Sequence, residues 1–237
     1  MRRTRVLGAG CCAECAADST PRLCHLVRKL KESINIICYN ISMHPKNRKI
    51  KSKIFLFTCL ASSIVSIALS GVMVSLGENP NIDALSRIGE ENHALFILWG
   101  VFTAVAIYMN YLLLAHRLDI TNKFFYAVLT IGCSMVIVSS SVIGEHIALR
   151  VIHVTASGLF GLLCAVCLVI LLIVKIRCNY NKKRTAMYLT LMAVAGLLLV
   201  VTTIYVGWFT AYTQVLIINL CLVTMFLSNF VEKWSLE

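Results

Sequence analysis

Two short stretches of this chain gather the residue types that chemistry needs. Glu90, Glu91 and His93 open the second of the long apolar spans, and Glu145, His146, Arg150 and His153 sit at the turn between the third and the fourth. His146, Arg150 and His153 are spaced four and three apart, so on a helix they share one face. Glu90 and His93 are likewise three apart. Carboxylates and imidazoles that converge from different helices suit three kinds of work. They can hold a divalent metal. They can pass protons as general acid and base. With Arg150 as the cation, they can hold an anionic group such as a carboxylate or a lipid phosphate. The bland alternative is a set of salt bridges at a membrane–water boundary, where charge costs little. The expected ligand-binding set is Glu90, His93, Glu145, His146, Arg150 and His153, with no metal and no catalytic residue assigned.

Other motifs point less sharply. Cys164-x-x-Cys167 places two thiols on one helix face, as a redox pair requires, but with no basic neighbour to form the thiolate. Cysteine also serves as a small apolar core residue. Cys12-x-x-Cys15 with Cys24 and His25 has irregular spacing for a zinc site. A haem needs two histidines at matching depth on facing helices, and only His93 with His153 qualifies, so no cofactor is expected. Ser62, Ser66 and Ser70 recur every four residues, as do Ser157 and Gly161, which lets helices approach closely. Asn110, Asn219 and Gln214 need hydrogen-bond partners inside whatever surrounds them.

The elements that must position these residues follow from hydropathy. The chain is 59% hydrophobic and only 14% charged, with a mean hydropathy of +0.82. That surplus of apolar surface calls for a solvent other than water. Six runs are long enough to cross a bilayer: Ile54–Leu76, Ala94–Ala115, Phe124–Gly144, Val151–Val174, Ala186–Val206 and Tyr212–Val231. A backbone in lipid must satisfy its own hydrogen bonds, and no period of two suggests a barrel, so the runs are helices. The expected fold is an all-α, six-helix transmembrane bundle over residues 43–237. In the first outer loop, Asn79-Pro80 reads as a cap and first helical position, and predicts a short surface helix over residues 80–88 lying across the bundle as a lid.

Charge sets the orientation. Of the 22 Lys and Arg, only Arg87 and Arg150 fall on one side of the six runs. The other twenty mark the cytoplasmic side, with both termini there and the protein in the cell membrane. Trp208, Phe209 and Tyr212 then anchor the outer boundary and Trp234 the inner one. The net charge of +11 borders apolar runs, which argues for a lipid bilayer as partner and against nucleic acid. Residues 1–42 form a basic, Cys-containing extension with two readings: a weakly amphipathic segment on an anionic membrane surface, or a stretch ahead of a true start at Met43. None of the eleven cysteines falls in an outer loop, so free thiols are expected.

Leu85-Ser86-Arg87-Ile88-Gly89 ahead of a long span resembles the I-S-x-L-G outer loop of a prokaryotic six-span membrane protein family of unknown function. The general plan is similar to that of the DRAM/Frag-type membrane proteins. Gly144 followed by Ile152-His153-Val154-Thr155-Ala156-Ser157-Gly158 resembles the turn and histidine-led opening of that family's fourth span. The likeness covers about residues 54–231. Arg87 stands where the family's loop carries an acid, and Glu145 must supply the acid usual near Gly144. The resemblance implies six helices and no established activity.

For function, the favoured reading is a non-enzymatic membrane protein that binds a small or lipidic anionic ligand at its outer face. A transporter comes second, because the spans hold few charges and coupled transport usually needs one. A metal-dependent hydrolase built on the His/Glu cluster comes third.

Overall fold

The computed structural model describes residues 53–80, 84–143, 146–178, 181–206 and 210–231. All belong to the unit His44–Glu237. The expectations for residues 1–42, Glu145, Trp208, Phe209 and Trp234 lie outside the described residues. Among those described, there are helices and no strands.

The helices are α1 (Lys53–Leu76), α2 (Leu85–Glu91), α3 (His93–Arg117), α4 (Lys123–Ser141), α5 (Ile147–Arg177), α6 (Lys182–Val206) and α7 (Ala211–Phe226), the last continuing as a π-helical segment (Leu227–Val231). Six are long and apolar enough to cross a membrane, with only α2 too short. The fold is an all-α six-helix bundle. Consecutive spans alternate in direction, so the residues Arg117, Lys123, Arg177 and Lys182 gather at one end, here the basic end. The starts of α3, α5 and α7 lie at the opposite end.

The pattern within each helix is inverted relative to a water-soluble bundle. On α1 the buried side holds Cys59, Ser62, Ser63, Ser66, Ser70 and Met73, while Ile54, Phe57, Ile64 and Val72 point outward. Lipid tails solvate Ile and Phe as well as a core would. What gains from burial is the small or polar side chain that lets helices touch and bond. The same logic fixes α3 at the centre. It packs against α1, α4, α5 and α7 and its apolar window is 56% buried, against 6% for α6. Where α3 meets α4, a Cβ on Gly100 would fall 2.6 Å from the Ser140 Cβ, so the close approach requires glycine.

Local signals set several helix ends. Asn122 caps α4 by accepting from the Phe124 N–H at 2.8 Å, and Thr210 caps α7 by accepting from Thr213. The turns after α3 and α5 place Asp119 and Asn181 at φ 53° and 46°, a left-handed conformation that these two residue types tolerate. α5 is the longest helix at 31 residues, about 46 Å against about 30 Å of hydrocarbon. It therefore runs past the expected Val151–Val174 at both ends.

Three expectations need correction. The surface helix begins at Leu85 behind Ala84, with no side-chain cap, and not at Pro80. The Pro80 carbonyl instead accepts from the Tyr212 N–H at 3.3 Å, which ties this stretch to the start of α7. Glu90 and Glu91 close α2 and do not open the second span, because Asn92 breaks the helix at φ −124°, ψ 50°. Gly161 faces open space, so of the second small-residue row only Ser157 makes a close contact.

Candidate functional site

Of the expected ligand-binding residues, His153 is the one the fold holds in place. α4 ends near Ser139, whose carbonyl belongs to a last turn with no intrahelical donor. His153, in the second turn of α5, fills that role: its Nδ1 lies 2.7 Å from the Ser139 carbonyl oxygen and 3.3 Å from the Ser139 hydroxyl. A carbonyl only accepts, so Nδ1 carries a proton, and in the neutral imidazole Nε2 then holds the lone pair. Nε2 has no hydrogen-bond partner among the described residues. The Ser139 hydroxyl is engaged with Ser157 Oγ at 2.5 Å. Phe96 of α3, itself stacked on Trp99, lies 6.4 Å from the imidazole, ring centre to ring centre. The starts of α3 and α5 are thus brought side by side.

The remaining residues of the set are not drawn in. Glu90, His93, His146 and Arg150 are exposed, and among the described residues none of them has a side-chain hydrogen bond or ion pair. Glu145 lies outside the described residues. Glu90 sits in the last turn of a helix, where the dipole disfavours a carboxylate. Among the described residues, α2 packs mainly against α1, α3 and α7. No group of three or more His, Cys, Asp or Glu among the described residues is placed to hold a metal ion. The same geometry bears on hydrolysis. With Nδ1 protonated toward the carbonyl, His153 cannot take the Ser139 proton through that nitrogen, which removes the nearest hydroxyl as an activated nucleophile.

A second polar feature runs through the bundle between α1 and α3. Trp99 Nε1 donates to Ser70 Oγ at 2.9 Å, Ser66 Oγ and Thr103 Oγ1 are 2.8 Å apart, and Asn110 Nδ2 donates to Ser63 Oγ at 2.8 Å. The seam continues into the π-helical segment, where Asn229 Nδ2 donates to the Asn110 carbonyl at 3.0 Å and to its Oδ1 at 3.3 Å. Arg117 Nη1 in turn donates to the Asn229 carbonyl. Trp99 and Arg117 are about 27 Å apart along α3, so the seam spans most of the hydrocarbon thickness. The Oδ1 atoms of Asn219 and Asn229 are buried without a partner. π-Helical insertions of this kind are frequent at functional sites.

Charge counting alone missed the residues at the basic end of the seam. Lys175 reads in sequence as one of several loop cations, yet it is fully buried. Its Nζ donates to Ser228 Oγ at 3.0 Å and lies 5.6 Å from the centre of the Tyr188 ring. The signal was available: Lys175 and Arg177 are two apart on a helix, about 200° round the axis, so both cannot face water. Further toward the middle, Tyr111 donates to the Cys164 carbonyl at 3.1 Å and lies 3.0 Å from Cys221 Sγ. The six described cysteines are free thiols, and all but Cys178 are buried. No protein-family model matches the chain, nor does any curated protein or solved structure.

Proposed function

We propose that this multi-pass membrane protein, with both termini in the cytoplasm of the cell, binds a small or lipidic anionic ligand at its outer end and catalyses no reaction. The observation that carries the reading is the state of His153. Its Nδ1 is fixed by the Ser139 carbonyl, its Nε2 has no partner among the described residues, and Arg150 is exposed less than one helical turn away. A fixed acceptor beside an exposed guanidinium suits a ligand that offers an anionic oxygen to Arg150 and a hydroxyl or amine proton to His153. The exposed Val154 supplies an apolar side for a tail or ring. The likeness of residues 152–158 to the fourth span of the six-span family fits this reading and adds no activity to it.

Lysophosphatidic acid and inorganic phosphate serve as probes, separating a lipidic from a small anionic ligand. Their binding is read as a shift in thermal unfolding of the detergent-solubilised protein. Arg150→Gln should weaken the effective probe about tenfold or more, as expected for one charge-assisted hydrogen bond. His153→Gln should weaken it less. Binding unchanged in both variants would refute the site.

A second reading, a transporter, is favoured by the seam from Trp99 to Arg117, since a chain of polar side chains crossing the bundle can become a path when helices part. Uptake of a labelled anion into proteoliposomes, abolished by Asn110→Leu, would move the assignment there.

A further inference from the structure

The turn from α5 to α6 concentrates charge at the edge of bare apolar surface. Arg177 ends α5, and Lys182, Lys183 and Arg184 open α6. All four are exposed, and the first turn of α6 holds no acid. The positive end of the α6 dipole lies among Lys182, Lys183 and Arg184, and no acid in that turn relieves their mutual repulsion. Directly beyond them, Met187, Leu191 and Val194 are exposed by 51%, 43% and 59%. Lys183, Met187, Leu191 and Val194 follow at helical spacing and form one stripe. α6 is also the least packed span, with 6% of its apolar window buried.

We infer that this edge is a binding site for an anionic phospholipid. The headgroup phosphate sits among Arg177, Lys182, Lys183 and Arg184, and an acyl chain runs along Met187, Leu191 and Val194. The juxtaposition selects the occupant. A free anion neutralises the cations and leaves the stripe bare, and a zwitterionic lipid covers the stripe but neutralises little. An anionic phospholipid does both, in the leaflet where basic residues meet a negative membrane surface. Lys175 has no part in the site, because its side chain turns into the bundle. The site lies at the other end of the molecule from His153, shares no residue with it, and stands whether or not that proposal holds.

The test compares phosphatidylglycerol with phosphatidylcholine, bound to the full chain in detergent micelles and counted by native mass spectrometry. The wild-type protein should retain phosphatidylglycerol preferentially. The K182Q/K183Q/R184Q variant should lose that preference by about tenfold or more, since each cation near a membrane surface contributes severalfold. K182R/K183R should keep it, and so should R150Q, which separates this site from the one at His153. An equal preference in the wild-type and Gln variants would overturn the inference. So would inorganic phosphate displacing the lipid completely at comparable concentration, because the cations would then bind phosphate with no help from the stripe.

Discussion

Replacing the two asparagines that join α3 to the π-helical segment should give unequal costs, although each deletes an amide of the same size. Asn110→Ala removes two interhelical side-chain bonds, the donation to Ser63 Oγ at 2.8 Å and the acceptance from Asn229 Nδ2 at 3.3 Å. Interhelical bonds in membranes average about 0.6 kcal/mol each, because helices separated in the bilayer find other partners. With a small cavity term added, the expected cost is between about 1 and 2 kcal/mol. Asn229→Ala also removes two bonds from Nδ2, but it deletes an Oδ1 that is buried without a partner. Relief of that desolvation, about 1 kcal/mol or more, offsets the loss. The Arg117 contact survives because it is made to the Asn229 main chain. Asn229→Ala should therefore lie within about 0.5 kcal/mol of wild type. Equilibrium unfolding in mixed micelles of mild detergent and dodecyl sulfate, followed by tryptophan fluorescence, measures both. A double-mutant cycle should return a coupling of about 0.6 kcal/mol. If Asn229→Ala costs as much as Asn110→Ala, the seam is not bonded as described.

The same assay checks three further sites. Gly100→Ala should destabilise by about 1–3 kcal/mol, since its Cβ would press on Ser140, and Ser140→Gly should restore most of the loss. Gly161→Ala, which meets nothing within 4 Å, should be neutral, because a span that stays helical when unfolded in lipid gains little from propensity. Tyr111→Phe should cost no more than about 1 kcal/mol through loss of the bonds to the Cys164 carbonyl and Cys221 Sγ, with the ring packing intact.

The six spans were legible because bilayer thickness imposes a length and hydrocarbon imposes a composition. No tertiary contact is needed to read either. The buried serine face of α1 was legible for the same reason, as a four-residue recurrence that has no purpose facing lipid. What could not be read depends on packing. Asn79-Pro80 has the chemistry of a helix start, but the Pro80 carbonyl is taken by the Tyr212 N–H, so a tertiary bond outcompetes the local signal. Glu90 looked like the first turn of a span because nothing in the sequence marks Asn92 as a break. Lys175 was counted with the loop cations because hydropathy has no angular information. Only the meeting of α5 with Ser228 and Tyr188 decides which way it turns. Within the expected ligand set, the spacing of His146, Arg150 and His153 fixed a shared face but not depth. His153 reaches the end of α4, while the other two remain in the open.

The most direct test of the architecture is side-specific labelling. Asn81→Cys and Asn181→Cys are made separately in a chain whose own cysteines are replaced by serine or alanine, and intact cells are treated with a membrane-impermeant maleimide. Six spans with cytoplasmic termini require labelling at position 81 from outside, and labelling at position 181 only after the membrane is permeabilised. Labelling of position 181 from outside with position 81 protected would invert the molecule. Labelling of both in intact cells would rule out the alternating six-span bundle.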